Sequence, residues 1–233
     1  MSLPTVILPG YLAGAAPYQE MERSLKDLGI RATTVPLTRW SWLPTLGGRS
    51  IGPILQPLQD AIEQVLEQSG AEQVNLVGHS AGGWIARIYL GDQPYDVHAR
   101  DRQRQVIWQG RSRVARLITL GTPHLSQERW TRRNLDFVNQ TYPGAFYPEV
   151  DYVCVAGKSV YGQRNWKGWF TYNSYLLTSG CGDCWGDGIT PVEAAHLEAA
   201  KNVTLEGVYH SPQAGVNWYG TPEIVKVWAA YLG

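Results

Sequence analysis

A serine in this chain lies in a segment whose residue types and spacing suit nucleophilic chemistry. The apolar residues 74–77 lead directly into the run GHSAG at residues 78–82. The glycines two positions before and after Ser80 remove the Cβ atoms that would clash in a tight turn from a strand into a helix. Such a turn lifts the serine hydroxyl above the sheet edge, at a helix N-terminus whose dipole favours a developing negative charge. We therefore predict that Ser80 is a nucleophile, because a serine in an ordinary strand-to-helix turn would not need the paired glycines.

A serine hydroxyl is a poor nucleophile until a base takes its proton, and five histidines are candidates for that base. His79 lies beside the serine, where its side chain is expected to point elsewhere. His98 lies just before a basic stretch at residues 100–116. We interpret His98 and this stretch as a solvated surface excursion. His124 comes too early in the chain for the order serine, acid, histidine that accompanies such a turn.

Two histidines then remain. His196 lies in the Ala, Glu and Leu-rich segment 193–200, which resembles a helix, so we interpret it as a partly exposed helical residue. His210 directly follows the apolar strand predicted over residues 203–208, which places it at the carboxyl edge of a sheet, beside the serine turn. We therefore predict His210 to be the base, with His196 as the alternative.

The base needs an acid that fixes its tautomer and stabilises the imidazolium. Asp187 is flanked by Gly186 and Gly188, which permit a tight turn, and Pro191 suits the start of a helix. We predict Asp187 to be the acid, with Asp183 as the alternative. An aspartate that only caps a helix is the ordinary interpretation of either residue, and geometry must decide between them.

Five segments occur together in an order that resembles a small lipase or esterase of the α/β-hydrolase superfamily, over nearly the whole chain. They are LPGY at 8–11, GHSAG at 78–82, GTPH at 121–124, GDG at 186–188 and His210. Residues 120–124 in particular resemble the lipase-like, PGAP1-like branch. The resemblance implies cleavage of carboxylic esters through an acyl-enzyme by Ser80, His210 and Asp187, in lipid metabolism, with no cofactor and no metal.

The resemblance also implies an oxyanion hole made of two backbone N–H groups. One is expected from Ala81, just after the nucleophile. The other is expected from the turn after the first strand, at Tyr11, with Leu12 as the alternative. Pro9 stands where the family often has a histidine, but the donor is a backbone group, so the replacement need not abolish the function.

The elements that must position these residues alternate between short β-branched runs and longer amphipathic segments, which predicts parallel strands joined by helices. We expect one domain over residues 1–233, an α/β-hydrolase with a doubly wound, mostly parallel sheet of about six strands and helices on both faces. The predicted strands are 5–8, 32–37, 74–77, 116–120, 150–156 and 203–208. The predicted helices are 17–28, 54–68, 83–90 and 222–231. The longest irregular stretches are 92–109, 125–148 and 158–186, and no lid domain is evident.

Many aromatic residues fall in these irregular stretches. They are Trp40, Trp42, Trp130, Tyr142, Phe146, Tyr147, Trp166, Trp169, Phe170, Tyr172 and Trp185. We expect most of them to fix long loops to the sheet, and some to line an apolar pocket for an acyl group.

Composition narrows the classes of partner. Charged residues make up 17% of the chain, below the roughly 25% that is typical of soluble proteins. The formal net charge is zero, so no global field attracts nucleic acid. No apolar run is long enough to span a bilayer, and the N-terminus lacks a signal-peptide pattern. These features predict a soluble, cytoplasmic protein, unless a leader was trimmed, and they leave open a peripheral contact with lipid.

The three cysteines do not form a disulfide framework. Cys154 lies in an apolar run and is expected to be a core thiol. Cys181 and Cys184 form a CxxC motif in a glycine-rich loop, without the second ligand pair of a zinc site. We interpret this motif as a loop feature, with a local disulfide as one option.

The expected substrate is a small-molecule ester with an apolar acyl chain. Two alternatives stay open. The same residues could serve a thioesterase or an acyltransferase, and the fold could be a non-catalytic binding protein on a hydrolase scaffold.

Overall fold

The computed structural model describes residues 2–95, 97 and 106–233. His98 and the arginines at positions 100, 102 and 104 lie outside these residues. The interpretation of the basic stretch as a surface excursion therefore stays a prediction.

Six parallel strands form the central sheet. Their bounds are β1 Thr5–Leu8, β2 Ala32–Thr34, β3 Val74–His79, β4 Val114–Leu120, β5 Asp151–Lys158 and β8 Lys201–Glu206. Their order in the sheet is β2-β1-β3-β4-β5-β8. The chain first runs outward from β1 to β2 and then crosses back to β3. The order of the strands therefore reverses between β1 and β3, the position at which open α/β sheets form their ligand crevice.

Helices connect and flank the sheet, as predicted. Their bounds are α1 Gln19–Asp27, α2 Gly52–Ser69, α3 Ala81–Leu90, α4 Arg132–Thr141, α5 Trp169–Ser179, α6 Val192–Ala195 and α7 Pro222–Ala229. Short 3-10 helices cover Ala16–Tyr18, Arg39–Thr45 and Gly110–Arg113. Two-residue strands cover β6 Val160–Tyr161, β7 Trp185–Gly186, β9 Val208–Tyr209 and β10 Asn217–Trp218.

The alternation of side chains along the strands produces a core on each face of the sheet. Val6 and Leu8 of β1 belong to the cluster that packs against α2 and α3. Ile7 of the same strand belongs to the cluster that packs against α1 and α7. The four central strands, β1, β3, β4 and β5, are therefore buried on both faces, which explains why they read as largely apolar runs.

Several predicted boundaries are wrong. The strand predicted over 32–37 ends at Thr34, just before Pro36, which has no N–H for the ladder. The strand predicted over 203–208 ends at Glu206, because Gly207 turns the chain with a φ of 72°. The helix expected over 193–200 stops at Ala195, and His196 has extended backbone.

Two of the stretches predicted to be irregular contain helices. α4 lies within residues 125–148 and α5 lies within residues 158–186. α5 buries only Tyr175 among its eleven residues, so it has no continuous apolar face by which periodicity could identify it.

Among the described residues, no helix combines the length and the apolar character needed to cross a membrane. Cys154 is fully buried, as predicted, and burial raises the pKa of its thiol to about 11. Cys181 and Cys184 are both free, and the Cys184 thiol contacts the carbonyl oxygen of Cys181 at 3.2 Å. The optional disulfide between them is therefore absent.

Candidate active site

Ser80 occupies the sharp turn between β3 and α3. Its backbone has φ 52° and ψ −125°, a conformation that non-glycine residues rarely adopt. A Cβ at Gly82 would collide with the carbonyl oxygen of Leu8, and a Cβ at Gly78 would collide with the backbone of Gly83. The two glycines thus allow the helix to start directly beneath the end of β1, and the serine absorbs the backbone strain.

The imidazole of His210 lies within hydrogen-bonding distance of this serine. Its Nε2 is 3.0 Å from Ser80 Oγ, and its Nδ1 is 2.8 Å from Asp187 Oδ2. Because a carboxylate only accepts hydrogen bonds, Nδ1 carries the proton and Nε2 is free to accept the serine proton. His210 and Asp187 are 7% and 2% exposed, so water competes little for these contacts.

The carboxylate of Asp187 accepts hydrogen bonds on both of its oxygens. Oδ1 accepts from the backbone N–H groups of Ile189 and Thr190, at 3.0 and 2.7 Å. The backbone N–H of His210 also donates to the carbonyl of Asp187, at 2.9 Å, so the two loops are joined at two points. Asp183, the alternative acid, is exposed and does not contribute to this arrangement.

A second hydroxyl group supports the same carboxylate. The Tyr219 hydroxyl donates to Asp187 Oδ2 at 2.8 Å and accepts from the backbone N–H of Gly157 at 2.7 Å. Tyr219 could not be identified from the sequence, because no local pattern shows that a tyrosine near the C-terminus will reach the end of β5.

Tyr11 and Ala81, the two residues predicted to supply the oxyanion donors, line the same cavity as Ser80. Ala81 is the first residue of α3, so its N–H has no partner within the helix. The turn after β1 also comes close to Ser80, because a Cβ built on Gly10 would lie 2.9 Å from Ser80 Cβ. Tyr11 follows in that turn, and the alternative residue, Leu12, has a φ of 58°. The roles of Tyr11 and Ala81 stay predictions.

A cavity of about 460 Å³ opens at Ser80. Its lining is mainly apolar and includes Tyr11, Trp84, Pro123, Trp130, Leu135, Trp169, Phe170, Leu177 and Ile189. Glu128 is the one charged residue that lines it among the described residues. The hydroxyl group of Ser80 therefore faces a space that suits an apolar group.

The aromatic residues of the long loops divide between the two roles expected of them. Trp130, Trp169 and Phe170 line the cavity, whereas Trp42 and Tyr147 are buried in the core. Trp84, which belongs to α3 and not to a long loop, also lines the cavity.

Comparison with known proteins gives a family match over part of the chain. The family model described as "alpha/beta hydrolase fold" matches residues 48–152, which include the strand and turn that carry Ser80. This match, together with the parallel six-stranded sheet, supports the α/β-hydrolase superfamily and a hydrolase as the broad class of the protein. The narrower PGAP1-like branch is not confirmed by these matches.

Est1E and the product of lin2722 share the fold of this chain at low sequence identity. Est1E from Butyrivibrio proteoclasticus, with bound ferulic acid, matches with a TM-score of 0.55 and 12% identity, over 99% of this chain and 90% of its own. The product of lin2722 from Listeria innocua matches with a TM-score of 0.54 and 14% identity, over 100% and 94%. The match to the pyrethroid hydrolase PytH spans 54% of this chain and only 42% of that protein, with 19% identity and a TM-score of 0.33. A search of curated proteins found no match.

His124 and His196 have their side-chain contacts in other parts of the structure than Ser80. His124 is buried between Arg87, Thr119 and Cys154, and desolvation lowers the pKa of its imidazole well below the usual value. His196 contacts Thr204 at 3.2 Å. No group of three or more His, Cys, Asp or Glu side chains in residues 2–95, 97 and 106–233 is placed to hold a metal ion.

Proposed function

We propose that this protein is a serine esterase, which hydrolyses small-molecule carboxylic esters with an apolar acyl group through an acyl-enzyme. The observation that carries the proposal is the hydrogen-bonded line from Ser80 through His210 to Asp187, at the mouth of an apolar cavity.

The first half of the proposed reaction forms the acyl-enzyme. Ser80 Oγ attacks the ester carbonyl carbon while its proton moves to His210 Nε2. The negative charge on the carbonyl oxygen is stabilised by the N–H groups of Tyr11 and Ala81, each worth about 3 kcal/mol in comparable sites. The carbon–oxygen bond to the alcohol then breaks, and the alcohol oxygen takes the proton from His210.

The second half releases the acid. A water molecule gives its proton to His210 Nε2 and attacks the acyl carbon. The bond to Ser80 Oγ then breaks, and the serine recovers a proton from the imidazolium. Asp187 stays ionised throughout and stabilises each imidazolium state by its hydrogen bond to Nδ1.

Hydrolysis of 4-nitrophenyl esters, from the acetate to the decanoate, tests the proposal. We expect turnover by the unmodified chain and a loss of at least about a thousandfold in Ser80→Ala. A folded Ser80→Ala protein with full activity would contradict the mechanism. Thioesters of matched chain length belong in the same panel, because faster turnover of thioesters would assign the site to a thioesterase instead.

Peripheral contact with lipid is part of the same proposal. Trp166, Trp169 and Phe170 are each more than 60% exposed, and the last two also line the cavity. Exposed aromatic residues at the mouth of an apolar cavity suit substrates that are dissolved in a lipid surface. Sedimentation with phosphatidylcholine vesicles tests this contact, and a protein that stays entirely in the supernatant would contradict it.

A further inference from the structure

His79 is adjacent to the nucleophile, fully enclosed, and unused in the reaction described above. Only 4% of its surface is exposed. Its Nδ1 lies 2.7 Å from the hydroxyl oxygen of Tyr18, and its Nε2 lies 2.9 Å from the backbone carbonyl oxygen of His210. The ring therefore connects the 3-10 helix Ala16–Tyr18 to the loop that carries the predicted base.

The direction of the hydrogen bonds follows from their two ends. The backbone N–H of Gly10 donates to the Tyr18 hydroxyl at 2.8 Å, which leaves the tyrosine proton for His79 Nδ1. At the other end the carbonyl of His210 can only accept, so His79 Nε2 carries the proton. Only the neutral Nε2–H tautomer of His79 uses every donor and acceptor in this chain of hydrogen bonds.

The electrostatic environment favours the same neutral form. Burial, and then the proximity of the His210 ring, lower the pKa of His79 to about 3. The two ring centroids are 5.0 Å apart, so a second positive charge on His79 would oppose the imidazolium that the reaction forms on His210.

The two ends of this chain of hydrogen bonds lie in the two loops that must be held against Ser80. Gly10 belongs to the turn that approaches Ser80 Cβ and precedes Tyr11, the predicted oxyanion donor. His210 carries the base. One continuous chain of hydrogen bonds thus runs from the oxyanion turn, through the side chain next to the nucleophile, to the backbone of the base.

We propose that His79 and Tyr18 are positioning residues, which together fix the oxyanion turn and the backbone of His210 relative to Ser80. This proposal rests on the proposed esterase function. It predicts that loss of one of these hydrogen bonds slows the chemical step, because a displacement of about 1 Å in such a site costs on the order of a hundredfold in rate. Binding of the acyl group should change little, because neither His79 nor Tyr18 lines the cavity.

Three variants remove hydrogen bonds at different points of the chain that joins Gly10 to His210. Tyr18→Phe removes the acceptor of the Gly10 N–H and the donor to His79. His79→Leu removes both ring contacts, whereas His79→Gln retains an N–H donor for the carbonyl of His210. We expect kcat to fall about tenfold or more in Tyr18→Phe and His79→Leu, with KM within about twofold, and to recover in part in His79→Gln.

The double variant Tyr18→Phe/His79→Leu tests whether the two residues act through one chain of hydrogen bonds or through two separate contacts. If both residues act through the same chain, the second substitution removes little that the first has not already removed. We therefore expect the loss of kcat in the double variant to be well below the product of the two single losses.

Tyr95→Phe is the matched control for lost stability. The Tyr95 hydroxyl is also buried. It accepts a hydrogen bond from the backbone N–H of Ile51 and donates one to the side-chain oxygen of Asn134. Tyr95→Phe should therefore lose stability as Tyr18→Phe does while it keeps its kcat, at a temperature where both variants are fully folded.

Nitrogen-15 NMR of the histidine rings tests the hydrogen bonds of His79 without any activity measurement. We expect His79 to show a neutral ring with the proton on Nε2 from pH 8 to pH 5, and Tyr18→Phe to change its Nδ1 shift.

The outcomes separate this proposal from the proposed function. If the unmodified protein is inactive, the proposed esterase function is overturned, and the proposed positioning role with it. If the unmodified protein is active and its folded Tyr18→Phe and His79→Gln variants keep full kcat, only the positioning role is overturned. An Nδ1–H tautomer at His79, or an equal loss of kcat in Tyr95→Phe, would overturn it as well. If His79→Leu does not fold, the other two single variants decide.

Discussion

The carboxylate of Asp187 accepts four hydrogen bonds, from His210, Tyr219 and two backbone N–H groups. An asparagine at this position has only one oxygen. If that oxygen accepts from the backbone, the amide N–H₂ group faces His210 Nδ1, which must then become an acceptor. The proton would move to Nε2, where it faces Ser80 and prevents the imidazole from acting as a base.

The first prediction follows from this change of tautomer. Asp187→Asn should lower kcat on 4-nitrophenyl esters by about ten thousandfold, with the fold intact. Asp183→Asn, four residues upstream and exposed, should retain full kcat. The assignment of the acid would be wrong if the two variants lost similar activity.

The residues that the sequence could identify are those with a local signal. Ser80 lies in a glycine-flanked run after an apolar strand, and His210 and Asp187 lie in short loops near the ends of predicted elements. Their proximity agrees with the predicted order, although their catalytic roles stay predictions. Tyr219 and Tyr18 have no such signal, because a tyrosine hydroxyl finds its partner only when distant segments pack together.

At the scale of elements, α5 is the largest feature that sequence reasoning missed. Its sequence, WFTYNSYLLTS, carries apolar residues on every side, and most of them stay exposed. A helix with no single buried face shows no 3.6-residue period. The strands of the central sheet and the helices α1, α2, α3 and α7 could be predicted because each has apolar residues that it buries in the core.

The second prediction concerns the cavity wall that α5 provides. Leu177 lines the cavity, whereas its neighbour Leu176 does not. Leu177→Trp should fill part of the cavity and lower kcat/KM for the octanoate ester at least about fivefold relative to the acetate, since each lost methylene contact is worth about 1 kcal/mol. Leu176→Trp is the control and should leave this ratio unchanged. An unchanged ratio in Leu177→Trp would place the acyl group elsewhere.

The third prediction concerns the junction of β1, β3 and α3. A methyl group at Gly82 meets the backbone of Leu8, which cannot move without disturbing the sheet. Gly82→Ala should therefore lower the free energy of unfolding by about 3 kcal/mol or more. A Cβ at Gly70, at the end of α2, would meet open space, and the only strain would come from the positive φ of this residue. Gly70→Ala should therefore cost about 1 kcal/mol. Denaturant unfolding of both variants checks this, and an equal cost would contradict the close approach.

At the scale of the whole molecule, buried neutral histidines tie stability to pH. His79 has a folded-state pKa of about 3, below its usual value of 6.5. As pH falls below about 6.5, the unfolded chain takes up a proton that the folded chain resists, so stability is present above that pH and is lost below it. His124 shifts in the same direction.

The fourth prediction quantifies this dependence. Between pH 7 and pH 5, His79 should lower the free energy of unfolding of the unmodified chain by about 2 kcal/mol. His79→Gln should lose about 2 kcal/mol less over the same interval, because glutamine does not titrate. Denaturant titrations at both pH values check the difference. Identical losses in the two proteins would show that His79 is not held neutral by the fold.

The most direct test of the account is covalent labelling of the native chain with a fluorophosphonate, followed by mass spectrometry of its peptides. Ser80 alone among the residues that the structure describes combines a strained backbone, an adjacent imidazole and an apolar cavity. We therefore predict one adduct per chain, on Ser80, and none in Ser80→Ala. An adduct on another residue, or a folded chain that does not react, would contradict the account.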